Sequence, residues 1–342
     1  MNTAEPLIAL DAMGGDNAPG EIVKGAVMAA RELDIRVALV GRPEAIEPEL
    51  AKHGERPVGI TVVPALEVVE MDEHPALAVR HKKDSSIVVG LKMVKHGEAA
   101  AFVSAGNTGA VMAGGIMYLG RVRGIERPSL AALLPIGGRL TVLLDVGANA
   151  DCKPGYLLQF AQMASVYMER VWKRERPRVA LLNIGEEESK GSQLAQESYK
   201  LLAAAGLNFI GNVEGRDIPK LVADVIVTDG FTGNVVIKTM EGTAEFVTGE
   251  MRQAISSRWY YKLPAAALLP AFNRLRQRMD YRQYGAGPLL GIDGLVFIAH
   301  GRSDALAIKS ALRVAREAAQ SGMLEAVREL ARKPAPAHPP AG

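Results

Sequence analysis

Short runs of aliphatic and β-branched residues alternate with longer stretches of helical periodicity along almost the whole chain. That alternation constrains the fold more than any other feature. Strands are expected at Leu7–Asp11, Arg36–Val40, Ile60–Val63, Ala100–Val103, Leu130–Leu134, Thr141–Val146, Val179–Ile184, Val225–Thr228 and Leu295–Ala299. Between them Gly20–Leu33, Ser86–His96, Gly155–Trp172, Ser192–Ala205 and Asp304–Leu330 carry the helical pattern. Strand, helix and strand in repetition build a parallel sheet covered on both faces. The runs Leu130–Pro135 and Leu140–Val146 are separated only by Ile136-Gly137-Gly138-Arg139, which reads as a hairpin. The expected fold is therefore a three-layer α/β/α sandwich with a mixed, mostly parallel sheet. Residues 1–332 are taken as a single large domain, without an internal repeat or linker. The proline-rich tail Lys333 to Gly342 is expected to be disordered.

Composition excludes some classes. The single cysteine, Cys152, allows no internal disulfide and suits a reducing, cytoplasmic setting. The amino-terminal residues lead straight into a buried strand, with no signal-peptide pattern. The longest apolar run, Leu263 to Phe272, is interrupted by Pro264 and Pro270 and falls well short of the ~18 residues a membrane span needs. A net charge of +2 decides nothing by itself, and no nucleic-acid partner is expected. The charge is unevenly placed, however. Arg252 to Arg282 holds seven basic residues against one acid, Asp280, a local net of +6 that leaves the rest of the chain at −4. Trp259, Tyr260, Tyr261, Phe272, Tyr281 and Tyr284 lie in or beside it. A basic, aromatic, amphipathic excursion, placed at about 252–284, reads as a docking surface.

The chemistry is expected in loops that follow strands. Ser104-Ala105-Gly106-Asn107-Thr108-Gly109-Ala110 and Thr228-Asp229-Gly230-Phe231-Thr232-Gly233-Asn234 each join a strand-like run to a helix-like one. Ligands of open α/β sheets bind at such junctions, where free N–H groups and the helix dipole favour an anion. Glycine lets the backbone come close, and Asn and Thr add donors. Two such loops point to a small anionic ligand, phosphate first among them. Asp11-Ala12-Met13-Gly14-Gly15-Asp16 closes the first strand. It is either a third ligand turn, with Gly14 and Gly15 giving amides, or a tight turn in which Asp16 or Asn17 caps the next helix. Leu144-Asp145-Val146-Gly147-Ala148-Asn149 and Asn183-Ile184-Gly185-Glu186-Glu187-Glu188-Ser189-Lys190-Gly191 also follow strands. In the second of these Lys190 either pairs with the acids around it or reaches a bound phosphate. His300, in His300-Gly301-Arg302-Ser303, either donates to the ligand or satisfies a strand end.

Several other chemistries lack their signatures. Lys190-Gly191-Ser192 does not have the Gly-Lys-Ser order of a phosphate-binding loop of nucleoside triphosphatases. Gly285-Ala286-Gly287-Pro288-Leu289-Leu290-Gly291 resembles a dinucleotide fingerprint only faintly, because no strand precedes it. His81 belongs to a basic loop whose serines suit a helix cap. Asp11, Asp145 and Asp229 lack close ligand spacing, so neither a metal nor any other cofactor is expected. There is no Gly-x-Ser-x-Gly elbow, and Cys152 has no evident histidine partner, so no covalent enzyme intermediate is expected.

Taken together, DAMGGD (11–16), SAGNTGA (104–110), LDVGAN (144–149), LNIGEE…KG (182–191), DGFTGNVVIKTMEG (229–242) and AHGRS (299–303) resemble the bacterial phosphate acyltransferases of phospholipid synthesis, the acyl-carrier-protein:phosphate acyltransferase or PlsX family. The motifs stand in the family's order from Leu7 to about Ala331. The resemblance implies a fold like the isocitrate/isopropylmalate dehydrogenases and phosphotransacetylases, with a protruding helical hairpin, and a homodimer. It implies acyl transfer from acyl-acyl carrier protein to inorganic phosphate, giving an acyl phosphate for glycerol-3-phosphate acyltransferase. Lys190 and Asn234 become the implied catalytic pair. Asp11, Gly14, Gly15, Asp16, Ser104, Gly106, Asn107, Thr108, Gly109, Asn149, Asp229, Thr232, Gly233 and His300 become the implied phosphate or substrate contacts. The basic excursion then implies peripheral contact with an anionic membrane. The competing readings are a phosphotransacetylase-like enzyme using acyl-coenzyme A, a decarboxylating dehydrogenase, for which the nicotinamide loop and acidic metal cluster are missing from the sequence, and a non-catalytic lipid- or carrier-binding scaffold.

Overall fold

The computed structural model describes residues 5–258, 260–261, 264–265, 267–271 and 280–332. Eleven strands form one sheet: β1 (Leu7–Asp11), β2 (Arg36–Gly41), β3 (Ile60–Pro64), β4 (Ala101–Ser104), β5 (Ser129–Ile136), β6 (Arg139–Leu144), β7 (Val179–Leu182), β8 (Phe209–Val213), β9 (Val225–Val227), β10 (Ala286–Leu290) and β11 (Leu295–Ala299). Their order is β3-β2-β1-β4-β11-β10-β5-β6-β9-β7-β8. The first five of that order are mutually parallel, as are the last four. Between the two groups β10 and β5 are each antiparallel to both neighbours. The two parallel groups therefore run in opposite senses, and their carboxyl ends leave the sheet at opposite edges.

Alternation along each strand divides the core between the two faces of the sheet. In β1, Ile8 and Leu10 join one apolar cluster and Ala9 the other; in β11, Leu295 and Phe297 join the first, Val296 and Ile298 the second. Helices cover both faces, which is the expected three-layer, mixed and mostly parallel α/β architecture. Helices Gly20–Leu33 and Ala305–Gln320 pack so closely that a Cβ at Gly25 would come within 2.6 Å of Ile308 Cβ. The expected hairpin joins β5 to β6 through Gly137 and Gly138, both at positive φ (56° and 83°), the backbone of a tight two-residue turn.

Several expectations need correction. The single helix anticipated over Asp304–Leu330 is two, Ala305–Gln320 and Met323–Arg332, divided where Gly322 takes φ +70°. The strand expected to reach Ile184 ends at Leu182. The glycine-rich segment after Tyr284, for which no strand was expected, contains the inner strand β10. A Cβ at Gly287 would lie 2.0 Å from Ala131 O, so only glycine lets the strand sit there.

The helix that follows the Thr228–Asn234 loop runs from Gly230 to Ser256, 27 residues. From Gly242 to Ala254 every residue on it is exposed, including Phe246, Val247 and Met251. Much of the expected helical hairpin at 252–284 lies outside the described residues, as does the tail 333–342. Leu268 and Leu269, which are described, are exposed. Among the described residues no helix is long and apolar enough to cross a membrane.

Candidate active site

Each parallel group ends in a loop cluster organised by one buried aspartate. At the end of β1, Asp11 is 1 % exposed and accepts bonds from Met13 N (3.1 Å) and Ser104 Oγ (2.7 Å). Ser104 Oγ in turn accepts from Gly106 N at 3.0 Å. This draws the ends of β1 and β4 so close that a Cβ on Gly14 would stand 2.7 Å from Gly106 N. Asp16 N donates to Gly301 O at 2.8 Å, which ties the loop after β11 to the same cluster. Gly15, at φ +103°, makes that approach possible. Burial pushes the Asp11 carboxyl above its ordinary range, against the opposing pull of its hydrogen bonds.

At the end of β6, Asp145 is fully buried and accepts four bonds: Leu130 N (3.0 Å) and Ala148 N (3.1 Å) on Oδ1, and Asn149 N (2.6 Å) and Asn149 Nδ2 (2.9 Å) on Oδ2. Burial raises this carboxyl too. The long helix begins beside it. Its cap is Asp229, whose two oxygens accept from Thr232 N and Thr232 Oγ1, both at 2.8 Å. Gly230 N donates to Asn149 O at 2.8 Å, and a Cβ on Gly233 would stand 1.9 Å from Asp145 O.

The long helix joins the two clusters. Asn234 lies near the Asp145 end, with its Oδ1 4.0 Å from where a Cβ on Gly147 would stand. Two turns later Glu241 Oε1 is 3.5 Å from His300 Nε2, and Glu245 pairs with Arg302. Eleven residues of helix span about 16 Å, close to the length of a five-residue strand. The helix thus crosses the sheet from one carboxyl edge to the other. Between it and the loops after β1, β4 and β11 lies a cleft of about 640 Å³, floored by β5 and β10. Asp16, Thr108, Asn234, Lys238, Glu241, His300 and Arg302 bring polar side chains to it. Burial holds the His300 imidazole below its ordinary value, so the ring favours the neutral form at pH 7; the nearby Glu241 opposes that shift and Arg302 and Lys238 add to it.

Of the residues anticipated from sequence, Asp16, Thr108, Asn234 and His300 line this cleft. Gly14, Gly15, Ser104, Gly106 and Gly233 lie behind its walls and set the shape of the backbone. Gly109 packs on Pro75, where a Cβ would meet Cγ at 2.6 Å. Asn107 is spent on structure: Oδ1 accepts from Ala110 N, and Nδ2 donates to the carbonyls of Glu70, Met71 and Glu73. Asn149 Nδ2 bonds Pro128 O and Asp145. Asp229 and Thr232 hold each other and face a separate outer recess that Gly191 also lines. Lys190 is exposed on the loop beside that recess, its carbonyl held by Asn183 Nδ2, and is not among the residues lining the central cleft. Asp11, Asp145 and Asp229 each serve local hydrogen bonds. Among the described residues no three His, Cys, Asp or Glu side chains gather as metal ligands would.

Sequence reasoning missed Lys238, Glu241 and Arg302. The signal was present: Asn234, Lys238, Glu241 and Glu245 are spaced four, three and four apart, one face of a helix. Cys152 is half-buried, its Sγ 3.6 Å from Asn149 O, and burial pushes its thiol up to about 12.

Comparison with known proteins bears on this geometry. A family model described as fatty acid synthesis protein matches residues 7–326. A phosphate acyltransferase of Desulfitobacterium hafniense is 52 % identical over 325 residues, covering 94 % of this chain and 96 % of the relative. One from Heliobacterium modesticaldum is 53 % identical over 326 residues, with the same coverage. Among solved structures, a phosphotransacetylase from Streptococcus pyogenes superposes with a TM-score of 0.64 at 16 % identity, covering 93 % of this chain and 95 % of its own. A 4-hydroxythreonine-4-phosphate dehydrogenase from Klebsiella pneumoniae superposes at 0.53 with 12 % identity, covering 94 % of this chain and all of its own. At such identities these two speak for the fold alone.

Proposed function

The chain belongs to the phosphate acyltransferase family, and from that premise we propose that it moves a fatty acyl group from acyl-acyl carrier protein to inorganic phosphate, supplying acyl phosphate for phospholipid synthesis. The observation that carries the proposal is the cleft itself: it carries polar side chains towards both ends, is bounded by loops that close the two opposed parallel groups of the sheet, and has no serine or cysteine among its lining residues. Phosphate is already anionic near neutral pH and needs holding and aiming more than activation, so orientation supplies much of the rate. Asn234 is exposed and lines the cleft on the first turns of the long helix, and in this reading it donates to the thioester oxygen as that oxygen gains charge. Lys190, exposed on its loop, supplies the cation for the bound anion in this reading. The departing thiol is a fair leaving group and needs no strong general acid. A Cys152 thiol held up to about 12 is protonated at neutral pH, which supports direct attack by phosphate over an acyl-enzyme route.

The same proposal includes two surfaces. A second copy of the chain covers the exposed outer half of the long helix, where Phe246, Val247 and Met251 lie open; gel filtration of Phe246→Glu tests it by loss of the dimer. The basic segment Arg252 to Arg282 meets an anionic membrane, and Leu268→Glu with Leu269→Glu should release the protein from anionic vesicles in a sedimentation assay.

One assay decides the reaction. Protein, phosphate and either acyl-acyl carrier protein or acyl-coenzyme A are incubated, and acyl phosphate is measured. Product from the carrier-bound donor in preference to the coenzyme supports the reading. Preference for the coenzyme makes the protein phosphotransacetylase-like, and no product from either leaves a binding scaffold.

A further inference from the structure

The strands at the centre of a sheet are normally covered on both faces, and here β4, β9 and β11 are buried along their whole lengths. β5 is not. From Leu130 to Ile136 only Ala131 is buried, although β10 and β6 flank it on either side. Leu130, Ala132 and Leu134 share one face of that strand. Leu134 and, from the long helix, Ile237 and Met240 pack against the same buried cluster, and all three line the cleft, so this is the face turned to it. The result is a trough with an aliphatic floor and a wall on which Ile237 and Met240 are apolar; Lys238 lies between them in sequence and is paired with Glu241 at 2.9 Å, and the other polar groups stand towards the two ends. Ile237 and Met240 follow Asn234 at intervals of three on the same helix, so the apolar stripe starts one turn beyond the amide.

We infer that this trough is the binding site for the acyl chain of the donor, running from Asn234 along Ile237 and Met240 over Ala132 and Leu134; the inference rests on the acyltransferase reading above. An unbranched hydrocarbon with one polar terminus matches that layout. A nucleotide or sugar would need polar partners along the floor, and the floor offers leucine and alanine side chains. The volume of about 640 Å³ lies in the range of sites that enclose a small molecule. Ala132 is the small residue between two leucines, and the passage over it sets how much chain the trough accepts.

The test compares kcat/KM for palmitoyl and hexanoyl donors on the same carrier. Ala132→Phe fills the floor and should lower the palmitoyl-to-hexanoyl ratio at least tenfold. Met240→Trp, from the opposite wall, should move the ratio the same way and covers the case in which Ala132→Phe does not fold. A ratio unchanged in folded variants, or equal loss with both donors, overturns the assignment while leaving the acyltransferase reading intact. Wild-type protein that makes no acyl phosphate from any donor would overturn that reading instead.

Discussion

Asp11 and Asp145 occupy equivalent places, each buried at the carboxyl end of a strand and each raised by burial, yet they do different work. Asp145 serves mainly its own turn: its oxygens receive two backbone amides and a side-chain amide from Ala148 and Asn149, and one further amide from Leu130. Asp11 reaches across to another strand, and its partners include the hydroxyls of Ser104 and Ser86. An amide can only donate, whereas a hydroxyl can turn and accept. The Asp145 end is therefore fixed in polarity and the Asp11 end is adaptable. The rigid end sits under Asn234, where the proposed chemistry needs an aimed donor. The adaptable end sits under His300 and the loops after β1 and β4.

Substitutions can break this contrast. The largest effect is expected at the rigid end: Asn234→Ala should lower turnover by about 10²–10³, the usual cost of losing an oxyanion donor. Its melting curve should stay close to wild type because the side chain is exposed. Near-normal turnover would take Asn234 out of the mechanism.

Asp145→Asn and Asp11→Asn sharpen the comparison directly. At Asp145 the new amide nitrogen has to face donors whichever way it is turned, and urea unfolding should show a loss of about 3 kcal/mol. At Asp11 the hydroxyls can reverse, and about 1 kcal/mol is expected. Equal losses would mean the two ends do not differ in this way.

His300 probes the adaptable end through pH. Burial depresses its folded pKa, so the stability it contributes is present above the unfolded value of about 6.5 and is lost as pH falls through the folded one. Between pH 7.5 and 5, wild type should lose more stability than His300→Gln. The difference should stay below about 1 kcal/mol, because the ring is partly exposed and Glu241 compensates its charge. An opposite slope would show that the pair with Glu241 outweighs burial. The smallest effect is expected at Cys152, where Cys152→Ser should change turnover by no more than about twofold, and mass spectrometry should find no acyl adduct. An adduct on Cys152 would replace direct attack with a two-step scheme.

The sequence was most readable where local pattern and tertiary need agree. β1 and the helix Gly20–Leu33 fall where the apolar periodicity puts them. β10 was unreadable because Gly287 and Pro288 carry the signature of a loop; the glycine is there for the backbone of Ala131 on another strand, 156 residues away. β8 was missed for a related reason, since Gly211 at φ +96° and Asn212 interrupt its apolar run. In the site, the loops were legible as strand-end turns, but the use of each side chain was not. Asn107, Asn149 and Asp229 look like ligand groups in one dimension, and the fold spends them on neighbouring carbonyls and amides. Lys238 and Glu241 look like surface charges until the helix is laid across the sheet.

The position of β10 and β11 has a consequence for how the chain is made. They come from residues 286–299 but lie between β4, which ends at Ser104, and β5, which starts at Ser129. Until residues 286–299 have left the ribosome, β4 and β5 each present an unpaired strand edge to the cell. The nascent amino-terminal portion is then a sheet with an open slot at its centre, filled only when its last two strands arrive.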